Sequence, residues 1–155
     1  MNDPKRKILY IEDMATSRAL VKRVLESKGF EVLEAEDGIG GLHQAETQSP
    51  DLILMDMNLP GMDGYETTTK LKSIPKLAGI PVIALTANVG EGDRERALIA
   101  GCDGYIQKPI SIDKITSQIE EFLHGKKEKI ETDKERFYLR EYSIKLVNRL
   151  QTKIE

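Results

Sequence analysis

The run Leu52-Ile53-Leu54-Met55 is apolar at every position and closes in an acid, Asp56. A strand with one wet face alternates, so an unbroken apolar run is expected of a strand covered on both faces. Four other short strand-like runs accompany it: Lys7–Ile11, Glu31–Ala35, residues 81–85 and Gly104–Gln107. The segments between them are of helical length: 16–28, Gly38–Gln48, 65–73, Asp93–Ala100 and 112–124. In the first of these, Ala19, Leu20, Val24 and Leu25 form the expected apolar face, and Gly29 supplies a stop. Gly40-Gly41 is expected to weaken the second. Ser49-Pro50 breaks the chain ahead of the central run.

Strand and helix alternating five times predict a parallel sheet with helices on both faces. Right-handed crossovers and a reversal of strand order then place a crevice at the carboxyl ends of the strands. The first run ends in Glu12-Asp13, the third in Asp56, the fourth in Thr86, and the fifth leads into Lys108-Pro109. Each alone has an ordinary reading: a turn former, a helix cap, a packed hydroxyl, a solvated ammonium. Their arrival at one sheet edge does not. Two carboxylates about 4 Å apart repel by roughly 4 kcal/mol at an effective dielectric near 20, so the cluster must hold a proton or bind a cation. Oxygen ligands with no His or Cys beside them favour Mg²⁺, with Mn²⁺ able to substitute. A carboxylate, a hydroxyl and an ammonium facing one space with such a metal suit a site that accepts a phosphoryl group.

The motifs Ile11-Glu12-Asp13, Leu54-Met55-Asp56-Met57-Asn58-Leu59-Pro60-Gly61-Met62-Asp63-Gly64, Ala84-Leu85-Thr86-Ala87-Asn88 and Gly104-Tyr105-Ile106-Gln107-Lys108-Pro109-Ile110 occur in order. With them the chain resembles the receiver domains of two-component response regulators over about residues 5–124. The resemblance implies a flavodoxin-like (βα)5 fold with strand order 2-1-3-4-5. It also implies a signalling domain rather than an enzyme, accepting phosphate on Asp56 from a histidine kinase or phosphotransfer protein to control a downstream partner. Asp13, Asp56 and the backbone carbonyl of Asn58 would hold Mg²⁺, and Glu12 a metal-bound water. Thr86 and Lys108 would take the phosphoryl oxygens, and Tyr105 would be the aromatic switch. Many family members have Asp where this chain has Glu12. Asn58 and Asn88 stand where the family tunes phosphate lifetime, and the Lys108–Pro109 bond is expected to be cis.

Other classes fit less well. Aspartyl-phosphate phosphatases of the haloacid-dehalogenase type carry Asp-x-Asp, and here the second position is Asn58. A flavodoxin-like cofactor binder would show a Ser/Thr/Gly-rich loop after the first strand. Cys102 reads as a packing residue, and His43 and His124 as isolated surface groups. One cysteine, a net charge of -3 and the lack of a long apolar run argue against disulfide stapling, general nucleic-acid binding and membrane insertion. A cytoplasmic globular protein is the expectation.

Charge divides the chain. Residues through His124 hold 14 basic and 20 acidic side chains, and those beyond hold 9 and 6. The expected organisation is a receiver over residues 1–124 and a charged linker with an amphipathic helix over 125–155, either ending there or leading into an output domain. In that tail Leu139, Tyr142, Leu146, Val147, Leu150 and Ile154 fall within an arc of roughly 140°. Such a stripe needs cover, and a homodimer through a parallel helix pair is the expected arrangement.

Overall fold

The structure, a computed structural model, describes residues 5–87, 92–129 and Arg140. Asn88 and all six residues of the Leu139–Ile154 stripe therefore lie outside the described residues. In chain order the elements are β1 (Lys7–Ile11), α1 (Ala15–Ser27), β2 (Glu31–Ala35), α2 (Gly38–Gln48), β3 (Leu52–Asp56), α3 (Gly64–Ser73), β4 (Val82–Thr86), α4 (Asp93–Ala100), β5 (Gly104–Gln107) and α5 (Ile115–Leu123). The five strands form one parallel sheet in the order β2-β1-β3-β4-β5. This is the flavodoxin-like arrangement expected.

The apolar central run works as expected, because β3 lies mid-sheet and is buried along its whole length. Alternate residues serve opposite layers. Ile8, Leu52, Leu54, Ile83 and Ile106 pack with Val21 and Leu25 of α1 and Ile115, Ile119 and Phe122 of α5. Leu9, Ile53, Met55, Val82 and Ala84 pack with Ala45, Leu71 and Ala97 of α2, α3 and α4.

Three local expectations need correction. The buried face of α1 is Val21–Val24–Leu25, while Ala19 is exposed and Leu20 is 48% exposed. Leu20 is turned roughly 100° from Val21 and so sits at the flank of the stripe. β4 starts at Val82 rather than Pro81, which has no N–H for the ladder. α5 begins at Ile115, after a turn in which Ser111 carbonyl accepts from the Lys114 and Ile115 amides.

The glycine pair in α2 does not break the helix. A Cβ on Gly41 would lie 2.4 Å from Ile11 Cδ1, so the bare backbone is what lets α2 settle onto β1. Asp37 caps the helix, its carboxylate accepting from the Gly40 amide at 2.7 Å.

Candidate functional site

Each strand of a parallel sheet delivers its last residue to the same edge, and that is how the acids meet. β1 ends at Ile11, so Glu12 and Asp13 follow at its carboxyl end, while Asp56 closes β3 beside it. Glu12 and Asp56 are 1% and 2% exposed, whereas Asp13 is exposed. One oxygen from each of the three carboxylates falls within 4.8 Å of the others. The group contains neither His nor Cys. It is a hard oxygen donor set that fits Mg²⁺, with the exposed Asp13 at its wet side.

Lys108 enters from beyond β5. Its Nζ lies 3.3 Å from Glu12 Oε1 and 3.3 Å from Asp56 Oδ1, so one ammonium bridges both buried acids. Its backbone N–H donates to the Thr86 carbonyl at 2.8 Å, which fixes the start of this loop against β4. The Lys108–Pro109 bond is cis, as expected. Thr86 is 1% exposed at the end of β4. The Asn58 amide donates to Asp56 Oδ1 at 3.0 Å, which turns the chain tightly after β3. Tyr105 is half-buried on β5, packed on the α2–α4 side of the sheet.

One ammonium does not balance two buried acids, and their surroundings shift the two carboxyls in opposite directions. Burial, the hydrogen bond to Asp56 and the Asp56 charge push the Glu12 carboxyl up to about 7, against a smaller opposing pull from Lys108. Burial also works to raise Asp56. There the Glu12 hydrogen bond, the Asn58 amide and Lys108 prevail and hold its carboxyl below the usual range. The surroundings therefore favour the protonated form at Glu12 and the ionised form at Asp56.

Two further residues serve the site without a signal in the sequence strong enough to find them. Arg18 Nη1 donates to the Glu12 carbonyl at 2.6 Å, while its Nε lies 3.5 Å from Glu34 Oε1, pinning the β1–α1 turn to β2. Tyr10 is fully buried one strand period before Glu12. It floors a cleft of about 400 Å³ whose other walls include Glu12, Met14, Leu20, Lys108 and Pro109. A period-two reading puts Tyr10 on the Glu12 side, but nothing in the sequence marks it as a cleft residue.

The remaining candidates stay apart. Cys102 is buried, its Sγ 3.7 Å from Thr68 Oγ1, and burial pushes its thiol up to about 12. His43 and His124 are exposed.

Residues 8–120 match the response regulator receiver domain family. The chain belongs to that family. It is 38% identical over 118 residues to the polar-differentiation response regulator DivK of Brucella anthropi, covering 76% of this chain and 96% of the relative. DivK of Brucella abortus is equally similar over the same shares. Among solved structures it resembles the receiver domain of a Pseudomonas aeruginosa sensor histidine kinase. That match has a TM-score of 0.73 and 34% identity, and covers 79% of this chain and all of that one. The Pseudomonas structure holds a magnesium ion in its active site cleft. A CheY-like receiver from Methanospirillum hungatei matches with a TM-score of 0.74 at 29% identity, covering 79% of this chain and 97% of that one. The protein is thus a two-component signalling domain rather than a classical enzyme. Among the described residues no helix is long and apolar enough to cross a membrane.

Proposed function

We propose that Asp56 is the phosphoacceptor of this receiver and that a phosphohistidine on a histidine kinase or phosphotransfer protein is its donor. The carrying observation is the setting of Asp56: buried, with Lys108 Nζ at 3.3 Å and the Asn58 amide at 3.0 Å. A carboxylate so fixed is a positioned nucleophile. One Asp56 oxygen attacks phosphorus, the P–N bond to the donor imidazole breaks, and its electron pair stays with the ring nitrogen. Lys108 and the Thr86 hydroxyl take the transferred oxygens, and Lys108 offsets their charge.

Asp13, Asp56 and the Asn58 carbonyl would hold Mg²⁺, with Glu12 reaching it through a water. When bound, the metal supplies charge neutralisation at the phosphoryl oxygens. The Glu12 carboxyl, pushed up by burial and by Asp56, would set a proton against the cation at this cluster. A protein donor fits the surroundings, since Met14 and Leu20, 56% and 48% exposed, present apolar side chains at the cleft beside Glu12 and Lys108.

The output follows from a two-state equilibrium. Phosphoryl contacts to Thr86 and Lys108 favour the conformer in which Tyr105 turns inward, and a downstream partner reads the altered surface. Incubation with a radiolabelled phosphohistidine donor and Mg²⁺ tests the donor assignment. Rapid label transfer to the wild type, and none to Asp56→Asn, is expected. Equal transfer to both proteins contradicts it.

A further inference from the structure

β5 ends the strand order, so its side away from β4 has no strand partner among the described residues. An open edge is a template for pairing with another chain unless something covers it. Here the segment after α5 does so. Gly125, with φ of +103°, turns the chain back, and the Lys126 amide donates to the Glu121 carbonyl at 3.1 Å.

Two residues later Glu128 engages three groups at once. Its backbone N–H donates to the Asp103 carbonyl at 2.8 Å. One carboxylate oxygen accepts from the Tyr105 backbone N–H at 2.9 Å. The other accepts from Arg94 through Nη2 at 3.0 Å and Nε at 3.3 Å. Lys127 Nζ adds a looser contact, 3.6 Å from Asp103 Oδ1. Arg94 stands in the first turn of α4, so one side chain ties α4, the β5 edge and the returning segment together. The two partners are 38% and 22% exposed, and the carboxylate satisfies an edge N–H as well as a guanidinium. That makes it a charge-assisted clasp rather than a loose surface ion pair.

We propose that the chain's own 126–129 segment is a latch on the outer edge of β5, held there by the Glu128 carboxylate through Arg94 and the Tyr105 amide. The latch is closed in the unphosphorylated protein, and phosphorylation loosens it. The coupling has a physical route, because Glu128 holds the backbone of Tyr105, the residue expected to turn inward. A segment that favours one arrangement of α4 and β5 must be weakened by whatever favours the other, and the linkage is reciprocal. Releasing the latch therefore eases phosphorylation. The coupling rests on the phosphoacceptor reading above, whereas the latch itself does not.

Amide exchange followed by NMR on the full chain separates the two. In the wild type without phosphoryl mimic, the Tyr105 amide exchanges slowly. In Glu128→Ala it exchanges tenfold faster or more, and in Glu128→Gln, which keeps an acceptor oxygen without the charge, it falls between. Exchange at Leu9, in the sheet interior, stays constant across the variants and shows that the fold is intact. An unchanged Tyr105 rate in Glu128→Ala overturns the latch. With Mg²⁺ and beryllofluoride, Glu128→Ala binds the mimic about fivefold more tightly than wild type, in the range typical of couplings between sites. Equal affinity for the two proteins overturns the coupling. Failure of the mimic to bind wild type overturns the phosphoacceptor reading and the coupling with it, while the Tyr105 exchange still judges the latch.

Discussion

Replacing Gly64 with alanine should damage both stability and phosphoryl transfer, because this glycine is where α3 crosses the end of β3. A Cβ there would lie 2.6 Å from the Asp56 carbonyl oxygen, 2.6 Å from Met57 Cα and 2.8 Å from Met57 Sδ. Ordinary contact begins at 3.4 Å, so the neighbours must give by roughly 0.8 Å. Two of the three atoms are backbone and cannot swing aside. Overpacking of this kind costs about 1–3 kcal/mol. The better helix propensity of alanine returns up to about 1 kcal/mol in a helix interior and less at the first residue of α3. The net expectation is a loss of about 1–2 kcal/mol, or a fall of roughly 3–10 °C in Tm. The displaced atoms include the Asp56 backbone, and a shift approaching 1 Å at a reacting group costs up to about 10²-fold in rate. Phosphorylation by a small phosphodonor with Mg²⁺ should therefore slow by about tenfold to a hundredfold. Gly79→Ala is the control, since no atom lies within 4 Å of its added Cβ. Urea unfolding followed by circular dichroism and the labelling rate check the two halves. A Gly64→Ala protein as stable and as fast as Gly79→Ala would refute the reasoning.

Three other outcomes follow from the geometry. Because burial and Asp56 push Glu12 up to about 7, the metal-free site holds a proton below that pH. Mg²⁺ must displace it, so affinity measured by calorimetry should fall by up to about tenfold per pH unit from 7 towards 5 and level off above 8. Glu12→Gln should flatten that profile. Cys102, buried with its thiol pushed up to about 12, should resist a disulfide reagent in the native protein and react fully in denaturant. Asp37→Ala removes the acceptor for the Gly40 amide and should cost about 0.5–2 kcal/mol in urea unfolding while leaving the phosphorylation rate unchanged.

The sheet was legible because its signals are local. An unbroken apolar run such as Leu52–Met55 has few readings once flanked by helical segments, and parallel topology then carries Glu12, Asp13, Asp56, Thr86 and Lys108 to one edge. What was not legible depends on contacts between distant elements. Periodicity puts Ala19 and Leu20 on the α1 stripe in place of Val21, because the three are all apolar and only packing against the sheet decides which is buried. Gly41 read as a weak point because its role depends on Ile11, thirty residues earlier, rather than on helix propensity. A shared proton is one of two ways to relieve the cluster, and which carboxyl favours it depends on the unequal surroundings of Glu12 and Asp56. In the sequence Glu128 is one of six acids in a mixed-charge tail. Its contacts with Arg94 and Tyr105 exist only once Gly125 turns the chain back to β5.

The central claim is that Asp56 is the phosphoacceptor, and the most direct measurement is chemical mapping of the modified residue. The protein is phosphorylated by a small phosphodonor with Mg²⁺, reduced with borohydride to trap the acyl phosphate as homoserine, digested, and sequenced by mass spectrometry. The account predicts a single converted residue, Asp56, in a peptide that is unmodified when Mg²⁺ is withheld. Conversion at Asp13 or any other acid with Asp56 left intact would contradict it.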